Sequence, residues 1–400
     1  MEKICQCLKC GLKNWHVGNK PKLKIEQGVC EICSQSGNRT ISQRDTRPLD
    51  KFFQRNKGKY DYDCIVLFTG GRDSSYSLKF LKEHYDLKIL ALTWDNGFFS
   101  EEHRRNIEQV TRKLEIDHQY LDVDWRLIRE IYQNRLRNLG RFCNCVPLVF
   151  LFAAPFILQK KAPAVVFSTS VAQTITAITK EFGSDCSDEV LAEQLAIWGI
   201  SSIDTLAQQM YEILCIDLLA GEYDKEILDM LKPFVQALVQ LKKKEDISVI
   251  TPSCFFEWKE KEICDSLEEL GWKIGGNRDS FNHSSCMAEE VKSYLSFKQQ
   301  QINMDVLEFS YLRRNQIITE EQLNSLLMKS GYTDQVPAYW KEFLKKVQIS
   351  QEEMNEILQS KIGTRGYIEL NLDTAEYLGF DHVEELQERV KHLIQTRILI

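Results

Sequence analysis

An α/β fold with a doubly wound parallel sheet is the class this sequence predicts, and three observations predict it. Short apolar runs rich in β-branched residues recur at Cys64–Phe68, Lys88–Thr93, His118–Val123 and Ala164–Ser168. Stretches with helical spacing lie between them, as at Ser75–His84 and Glu101–Leu114. The first run breaks at Gly70-Gly71 directly before a helical pattern, the signature of a buried strand, a tight turn and a helix start. Strands alternating with helices stack as parallel βαβ units, and ligands then sit outside the carboxyl ends of the strands. Thr69, Asp95, Asp122 or Asp124, and Ser168 to Gln173 are therefore expected to share one crevice.

Composition bounds what surrounds this core. Four hundred residues suggest two to three domains. Fifty-one basic against 58 acidic residues give a formal charge of -7, which speaks against a non-specific nucleic-acid binder but allows a local basic patch. The 13 cysteines are too few for a disulfide scaffold, and MEKICQCLKC does not read as a signal peptide. The most apolar piece, Val146–Leu158, is too short to span a bilayer and contains Pro147 and Pro155. A cytoplasmic protein without a membrane partner is expected, in which clustered cysteines hold metal or do chemistry. Pattern divides the chain into a cysteine-rich segment (1–50), a nucleotide-binding α/β core (51–183), a helical insertion or linker without a convincing strand (184–247), a completion of the catalytic domain with an acceptor lid (248–315), and a helical C-terminal appendage (316–400).

In the first segment, Cys7-x-x-Cys10 and Cys30-x-x-Cys33 are separated by 19 residues, the double-knuckle spacing of a tetrahedral thiolate site that suits Zn²⁺. The segment is short and polar, so metal binding would supply its folding free energy. Cys5 is the spare thiol and His16 an alternative ligand in reach.

The core opens with CIVLFTGGRDSS, Cys64 to Ser75. A glycine turn into a helix makes a cup of backbone N–H groups at the positive end of the helix dipole, where a phosphate can sit. Thr69, Ser74 and Ser75 add hydroxyls beside it, and Asp73 has no evident role in packing. The string lacks the Lys-[Ser/Thr] ending of a Walker A loop, which argues against γ-phosphate chemistry. At the next strand end, Asp95 and Asn96 are placed to hydrogen-bond adenine or ribose, or simply to form a polar turn, and Gly97 lets the chain turn away. Gln173 and Lys180 follow the fourth strand; Lys180 could meet the pyrophosphate or be solvated.

Arg126, Arg129, Arg137 and Arg141, with Arg135 nearby, are spaced to lie near one helix face. Such a face suits a pyrophosphate, a nucleotide-sugar diphosphate or an RNA backbone, or is solvated. Next comes Phe142-Cys143-Asn144-Cys145. Cysteines beside arginines have their thiolates favoured. They read as ligands of an iron–sulfur cluster together with a distant cysteine, as a persulfide carrier, or as two buried structural thiols. Further on, Cys215 reads as a core thiol, and Asp224, Thr319 with Gln322, and Ser350 with Glu353 as helix caps. The glycine-broken, polar run from Gly271 to Glu289, with Lys273, Arg278, Asp279, His283 and Cys286, reads as an active-site lid.

Thr69 to Ser75 resembles the SGGxDSS pyrophosphate loop of the adenine-nucleotide α-hydrolase superfamily, with Thr69 in place of the serine. That resemblance implies a HUP-like fold, cleavage of ATP between its α and β phosphates, and AMP as the activating group. Thr69, Gly70, Gly71, Arg72, Ser74 and Ser75 would bind the nucleotide, and Asp73 would act through Mg²⁺. Together with the cysteine pairs, WDNGFF, FFEWKEKEI and the GWKIGG to RRNQIITEEQ segment, the chain resembles the N-acetyl sugar amidotransferase family of bacterial surface-glycan biosynthesis. This implies ATP activation of an amide oxygen on a small-molecule acceptor such as a nucleotide sugar, then transfer of nitrogen supplied by a glutaminase partner. Asn277-Arg278-Asp279-Ser280-Phe281 departs from that family's Lys-His-x-Glu-Ser string. The chain is similar also to the tRNA thiolation branch of the superfamily, whose cysteine knuckles, close cysteine pair and later cysteine correspond to Cys143, Cys145 and Cys286. That branch implies sulfur transfer, with these three cysteines as ligands of a [4Fe-4S] cluster or persulfide carriers, and a sulfur-donor protein as partner. Net charge weighs against tRNA as the acceptor, which a small-molecule thioamide synthase would not need. A zinc-bearing interaction module with a degenerate nucleotide loop is the non-enzymatic alternative.

Overall fold

A computed structural model describes residues 5–14, 23–35, 45–170, 173, 198–257, 259–274, 286–300, 305–331, 334–360, 369–385 and 387–388. In chain order these form β1 (Ile25–Glu26), β2 (Val29–Cys30), α1 (Glu31–Gln35), α2 (Arg47–Asn56), β3 (Cys64–Leu67), α3 (Arg72–Tyr85), β4 (Ile89–Thr93), α4 (Glu101–Lys113), β5 (Asp117–Tyr120), α5 (Trp125–Leu139), α6 (Cys145–Gln159) and β6 (Ala164–Val166). They continue with β7 (Ile200–Ser202), α7 (Ile203–Leu219), α8 (Lys225–Leu241), β8 (Ser248–Ile250), α9 (Glu260–Glu268), α10 (Glu289–Gln300), α11 (Asp305–Arg314), α12 (Glu320–Leu326), α13 (Trp340–Val347), α14 (Gln351–Ser360) and α15 (Leu372–Leu378).

The central sheet has the order β5-β4-β3-β6-β8-β7. Its first five strands are parallel, with Val66 opposite Ala91 on one side and Val166 on the other. Strand alternation divides the core cleanly, because successive side chains of a strand face opposite sides of a sheet. Ile65, Leu67, Leu90, Leu92, Val165 and Val249 face α5, α6, α7 and α8. Cys64, Val66, Ile89, Ala91, Ala164, Val166 and Ile250 face α3, α4, α9 and the cysteine-rich segment. The doubly wound parallel sheet is thus present. One strand departs from the expectation for 184–247: β7 pairs antiparallel with β8 through Ser201 opposite Val249 and closes that edge. Three residues are too few for a period to be legible, and their pairing is made with a strand almost fifty residues on.

Chain order reverses between β3 and β6, whose following strands, β4 and β8, are added on opposite sides of the pair. A crevice opens at such a switch point, and β3 ends there in Thr69-Gly70-Gly71. The apolar piece that drew attention in sequence is α6, a buried helix with Pro155 inside it. No helix among the described residues is long and apolar enough to cross a membrane.

The C-terminal segment is built into the same core. Asn371 donates its backbone N–H to Leu219 O at 2.8 Å, the Tyr211 hydroxyl donates to Asp381 O at 2.6 Å, and Lys242 pairs with Asp381 at 2.8 Å. Leu378 is fully buried. Leu378→Ala should therefore cost about 2–5 kcal/mol, read as a lower urea midpoint, through lost burial and the cavity left behind. An unchanged midpoint would show that α15 does not dock.

Candidate active site

The loop after β3 is held from behind by two ring N–H groups. Trp272 Nε1 donates to Gly70 O at 3.0 Å, and His103 Nε2 bonds Thr69 O. A carbonyl can only accept, so Nε2 of His103 carries the proton. Both rings are buried, and His103 is stacked on Phe99 with centroids 3.9 Å apart. In a planar peptide the N–H points opposite to the C=O. Carbonyls fixed towards Trp272 and His103 therefore send the N–H groups of Gly70 and Gly71 to the other side, where Gly71 N–H reaches Thr69 Oγ1 at 3.4 Å. Gly70 has φ +72, and a Cβ there would lie 2.5 Å from Ile107 Cγ1, so only glycine fits between the loop and α4.

The loop's hydroxyls cross-link the turn. Thr69 Oγ1 and Ser74 Oγ are 3.1 Å apart, Thr69 N donates to Ser74 Oγ at 3.3 Å, and Ser74 Oγ reaches Gly71 O at 3.3 Å. Ser75 is buried in the first turn of α3, its hydroxyl without a hydrogen-bond partner among the described residues. Asp73 stands in the same turn, where the dipole favours a carboxylate. Arg72 is placed differently from the expectation. Its guanidinium bonds Asp73 Oδ1 at 2.7 Å and pairs with Glu260 of α9, so it fastens the FFEWKEKEI segment to the loop.

The end of β4 belongs to a second site. Asp95 keeps the mouth of the crevice, with Oδ1 accepting from Gly97 N at 2.9 Å and Oδ2 paired with Arg104. Asn96, expected at the adenosine, is buried and turned elsewhere. Its Oδ1 accepts from Phe98 N, while Nδ2 donates to Cys145 Sγ at 3.4 Å and Cys286 Sγ at 3.6 Å. Cys143 Sγ lies 3.1 Å from Cys145 Sγ. Cys145 and Cys286 thus share one asparagine, and Cys143 joins them through Cys145. Residues 275–285 of the expected lid, with Arg278, Asp279 and His283, lie outside the described residues; Cys286 itself bridges antiparallel to Phe99. Phe99 stacks on His103 and His103 bonds Thr69, so thiol site and loop share one wall.

The surroundings differentiate these thiols. Cys143 is pulled down to about 7, first by the hydrogen bond from Cys145, against burial and with help from Lys292. Cys145 is pushed up by the same bond and by burial. Burial pushes Cys286 up to about 12. The thiolate-prone sulfur is thus Cys143, and its activator is a thiol neighbour rather than the arginine face. Lys292 is anchored by Glu289 at 3.2 Å and Asp305 at 3.3 Å, one turn into the helix that begins beside Cys286.

The arginine face is not available for phosphates as predicted. Arg126 pairs with Glu226 and Arg137 with Glu353, both at 2.7 Å, and Arg135 pairs with Asp217 in the core. Arg129 bonds its neighbour Glu130, and desolvation of the half-buried Arg141 pushes its guanidinium down to about 10. Gln173 closes a reciprocal cap with Ser170, accepting from Ser170 N at 3.3 Å and donating its own N–H to Ser170 Oγ at 3.1 Å. Lys180 and His16 lie outside the described residues. Sequence reasoning missed His103, Trp272 and Lys346, a lysine of α13 that bonds Gly97 O and lies 5.2 Å from the Phe98 and Trp125 rings. Only Trp272, in the GWKIGG string, carried a signal.

Cys7, Cys10, Cys30 and Cys33 bring their sulfurs within 4.8 Å of one another, all buried. Cys30 N donates to Cys7 Sγ at 3.3 Å and Cys33 N to Cys30 Sγ at 3.5 Å, the backbone support that thiolate ligands receive in knuckles. The donor set and spacing fit a four-thiolate metal. Cys5 stands outside the tetrad, as expected. Ser310 of α11 donates to Cys10 O at 2.8 Å, and Asp305 at the start of α11 holds Lys292, so the tetrad buttresses the thiol site.

No family model matches this chain. Over 83 residues it is 38% identical to an uncharacterized protein of Methanocaldococcus jannaschii, a match covering 21% of this chain and 30% of that protein. The chain thus spans under a third of the length of the curated relative it matches. A solved structure similar to it is the NH3-dependent NAD synthetase of Campylobacter jejuni subsp. jejuni in complex with nitrate, at 15% identity and a TM-score of 0.25, covering 50% of this chain and 96% of that one.

Two measurements follow from this geometry. Purified protein should contain one zinc per chain by elemental analysis and Cys30→Ser should lose it; a Cys30→Ser protein that keeps its zinc contradicts the tetrad. Trp272→Phe keeps the ring but leaves Gly70 O unpaired, a loss of about 1–3 kcal/mol that should weaken ATP binding at least fivefold in calorimetry. Unchanged affinity would mean that the indole does not shape the loop.

Proposed function

We propose that this chain is an ATP-dependent enzyme of the pyrophosphate-loop type that adenylates a carbonyl or amide oxygen and then transfers sulfur to the activated carbon. The observation that carries the reading is the contact of Cys143 with Cys145, and of Cys145 and Cys286 with Asn96, just past the end of the strand beside the loop. Nitrogen transfer gives those thiols no task.

The Gly70 and Gly71 N–H groups, with Ser74 and Ser75, would receive the β and γ phosphates of ATP, and Asp73 would hold the Mg²⁺ that offsets their charge. The acceptor oxygen attacks the α phosphorus; the bond to the bridging oxygen breaks and pyrophosphate leaves. A sulfur nucleophile then adds to carbon, and AMP departs with the original oxygen. In a persulfide route, a donor protein first places a second sulfur on Cys143. That terminal sulfur attacks carbon, Cys145 attacks Cys143 Sγ, the thiocarbonyl product leaves with both electrons of the S–S bond, and a Cys143–Cys145 disulfide remains for an external thiol to reduce. The 3.1 Å separation of the two sulfurs suits this pair of steps. A [4Fe-4S] cluster on the three thiolates would instead leave one iron without a protein ligand and able to carry sulfur. For that the two adjacent sulfurs would have to part.

A second reading, N-acetyl sugar amidotransfer with ammonia from a glutaminase, draws on one observation. The segments that carry the resemblance to that family are those that fasten the loop, through Glu260 on Arg72 and Trp272 on Gly70.

Incubation with ATP and candidate amides should yield AMP and pyrophosphate, with sulfide and not ammonium producing the mass gain on the acceptor. Asp73→Ala should slow AMP formation at least tenfold, about 1.4 kcal/mol of transition-state stabilisation. ADP as product overturns the loop assignment, and no gain from sulfide together with the slight mass loss of O replaced by NH from ammonium replaces sulfur transfer by nitrogen transfer.

A further inference from the structure

Arg135 and Asp217 form an ion pair in which both side chains are fully excluded from water. Burying two charges costs several kcal/mol per ion, and apolar side chains of similar volume would hold α5 against α7 as well or better. The fold alone therefore gives no reason for the pair. Its remaining hydrogen bonds do. Arg135 Nε donates to Phe142 O at 3.0 Å, and Asp217 Oδ2 accepts from Asn144 Nδ2. Phe142 and Asn144 alternate with Cys143 and Cys145, so the pair grips the turn on both sides of the first thiol.

Asn144 supplies the second sign. It is the N-cap residue of α6, yet its side chain makes no capping bond. An asparagine at that position ordinarily stabilises the helix by capping. Here the amide is turned to Asp217 and that stabilisation is forgone. Asp217 is itself fixed, because Asn134 Nδ2 reaches its backbone oxygen at 3.5 Å and α7 packs on α5.

We infer that Arg135, Asp217 and Asn144 are positioning residues that lock the Phe142–Cys145 turn so that the sulfurs of Cys143 and Cys145 remain in contact as a preformed dithiol. The purpose of that dithiol rests on the sulfur-transfer reading; its geometry does not. Two sulfurs separated by one residue could splay to opposite sides of the turn, and a carbonyl and an amide held from two different helices prevent it.

Phenylarsine oxide reads this geometry directly, since its arsenic condenses with two adjacent thiols, releasing water, and holds single thiols weakly. In reduced, zinc-loaded full-length protein, peptide mass analysis should find one arsenical across Cys143 and Cys145. Asn144→Ala should weaken that adduct at least about tenfold in protein that still folds, with a lowered melting temperature because Asp217 Oδ2 loses its partner, since a misplacement near 1 Å in a two-point contact is worth that much or more. The double variant Arg135→Met with Asp217→Leu, which leaves no buried charge unpaired, should fold and show the same loss. Full affinity in both variants overturns the inference, as does unfolding of Asn144→Ala, which would make the unit a fold element. If the arsenical results hold but sulfide gives no product, the positioning stands and the sulfur-transfer reading alone falls.

Discussion

Two ring N–H groups aimed at two carbonyls are the constraint on which the rest of this protein depends. With Thr69 O taken by His103 and Gly70 O by Trp272, the loop can present only its N–H groups to the crevice. This explains why distant parts of the chain must come together here. His103 is brought by α4, capped by Ser100, whose hydroxyl accepts from His103 N at 3.1 Å. Trp272 follows α9, whose Glu260 also takes the Arg72 guanidinium. Gly70 is the space that lets these groups approach. The shape of the loop is thus imposed by its surroundings rather than by the local sequence alone, and under the proposed function a loop preorganised in this way would need no rearrangement as charge develops on a phosphate.

The thiol site is coupled to the same constraint by shared walls. His103 is stacked on Phe99, Phe99 bridges Cys286, and Asn96 joins Cys286 to Cys145. His103 and Phe99 are the side chains that stand between the loop and Cys286. Such closeness would matter because an adenylate hydrolyses in water. The cysteine tetrad contributes at a distance, through Ser310 and Asp305 on one helix.

Much of this was legible in the chain. The strand, glycine turn and helix at Cys64–Tyr85 follow from local pattern, and the tetrad from spacing. What failed has a common cause. Arginines on one helix face look free until their partners arrive from 100 residues away in Glu226 and 216 away in Glu353. Asn96 looks like a nucleotide contact because its partner Cys286 is 190 residues on. Strand β7 is too short to show a period, and the two ring donors have no motif. Local propensity and spacing were readable, whereas tertiary pairing decided which polar groups remained available for ligands.

The claim most exposed to test is that sulfur is carried by the Cys143–Cys145 pair. The decisive measurement is peptide mass analysis of protein loaded by a cysteine desulfurase donor, before and after a single turnover with ATP and a reactive primary amide. The account predicts one added sulfur on Phe142–Cys145, lost to the amide with formation of a disulfide between the two cysteines. An unloaded pair, together with undiminished product formation when Cys143, Cys145 and Cys286 are all replaced by serine, would contradict it.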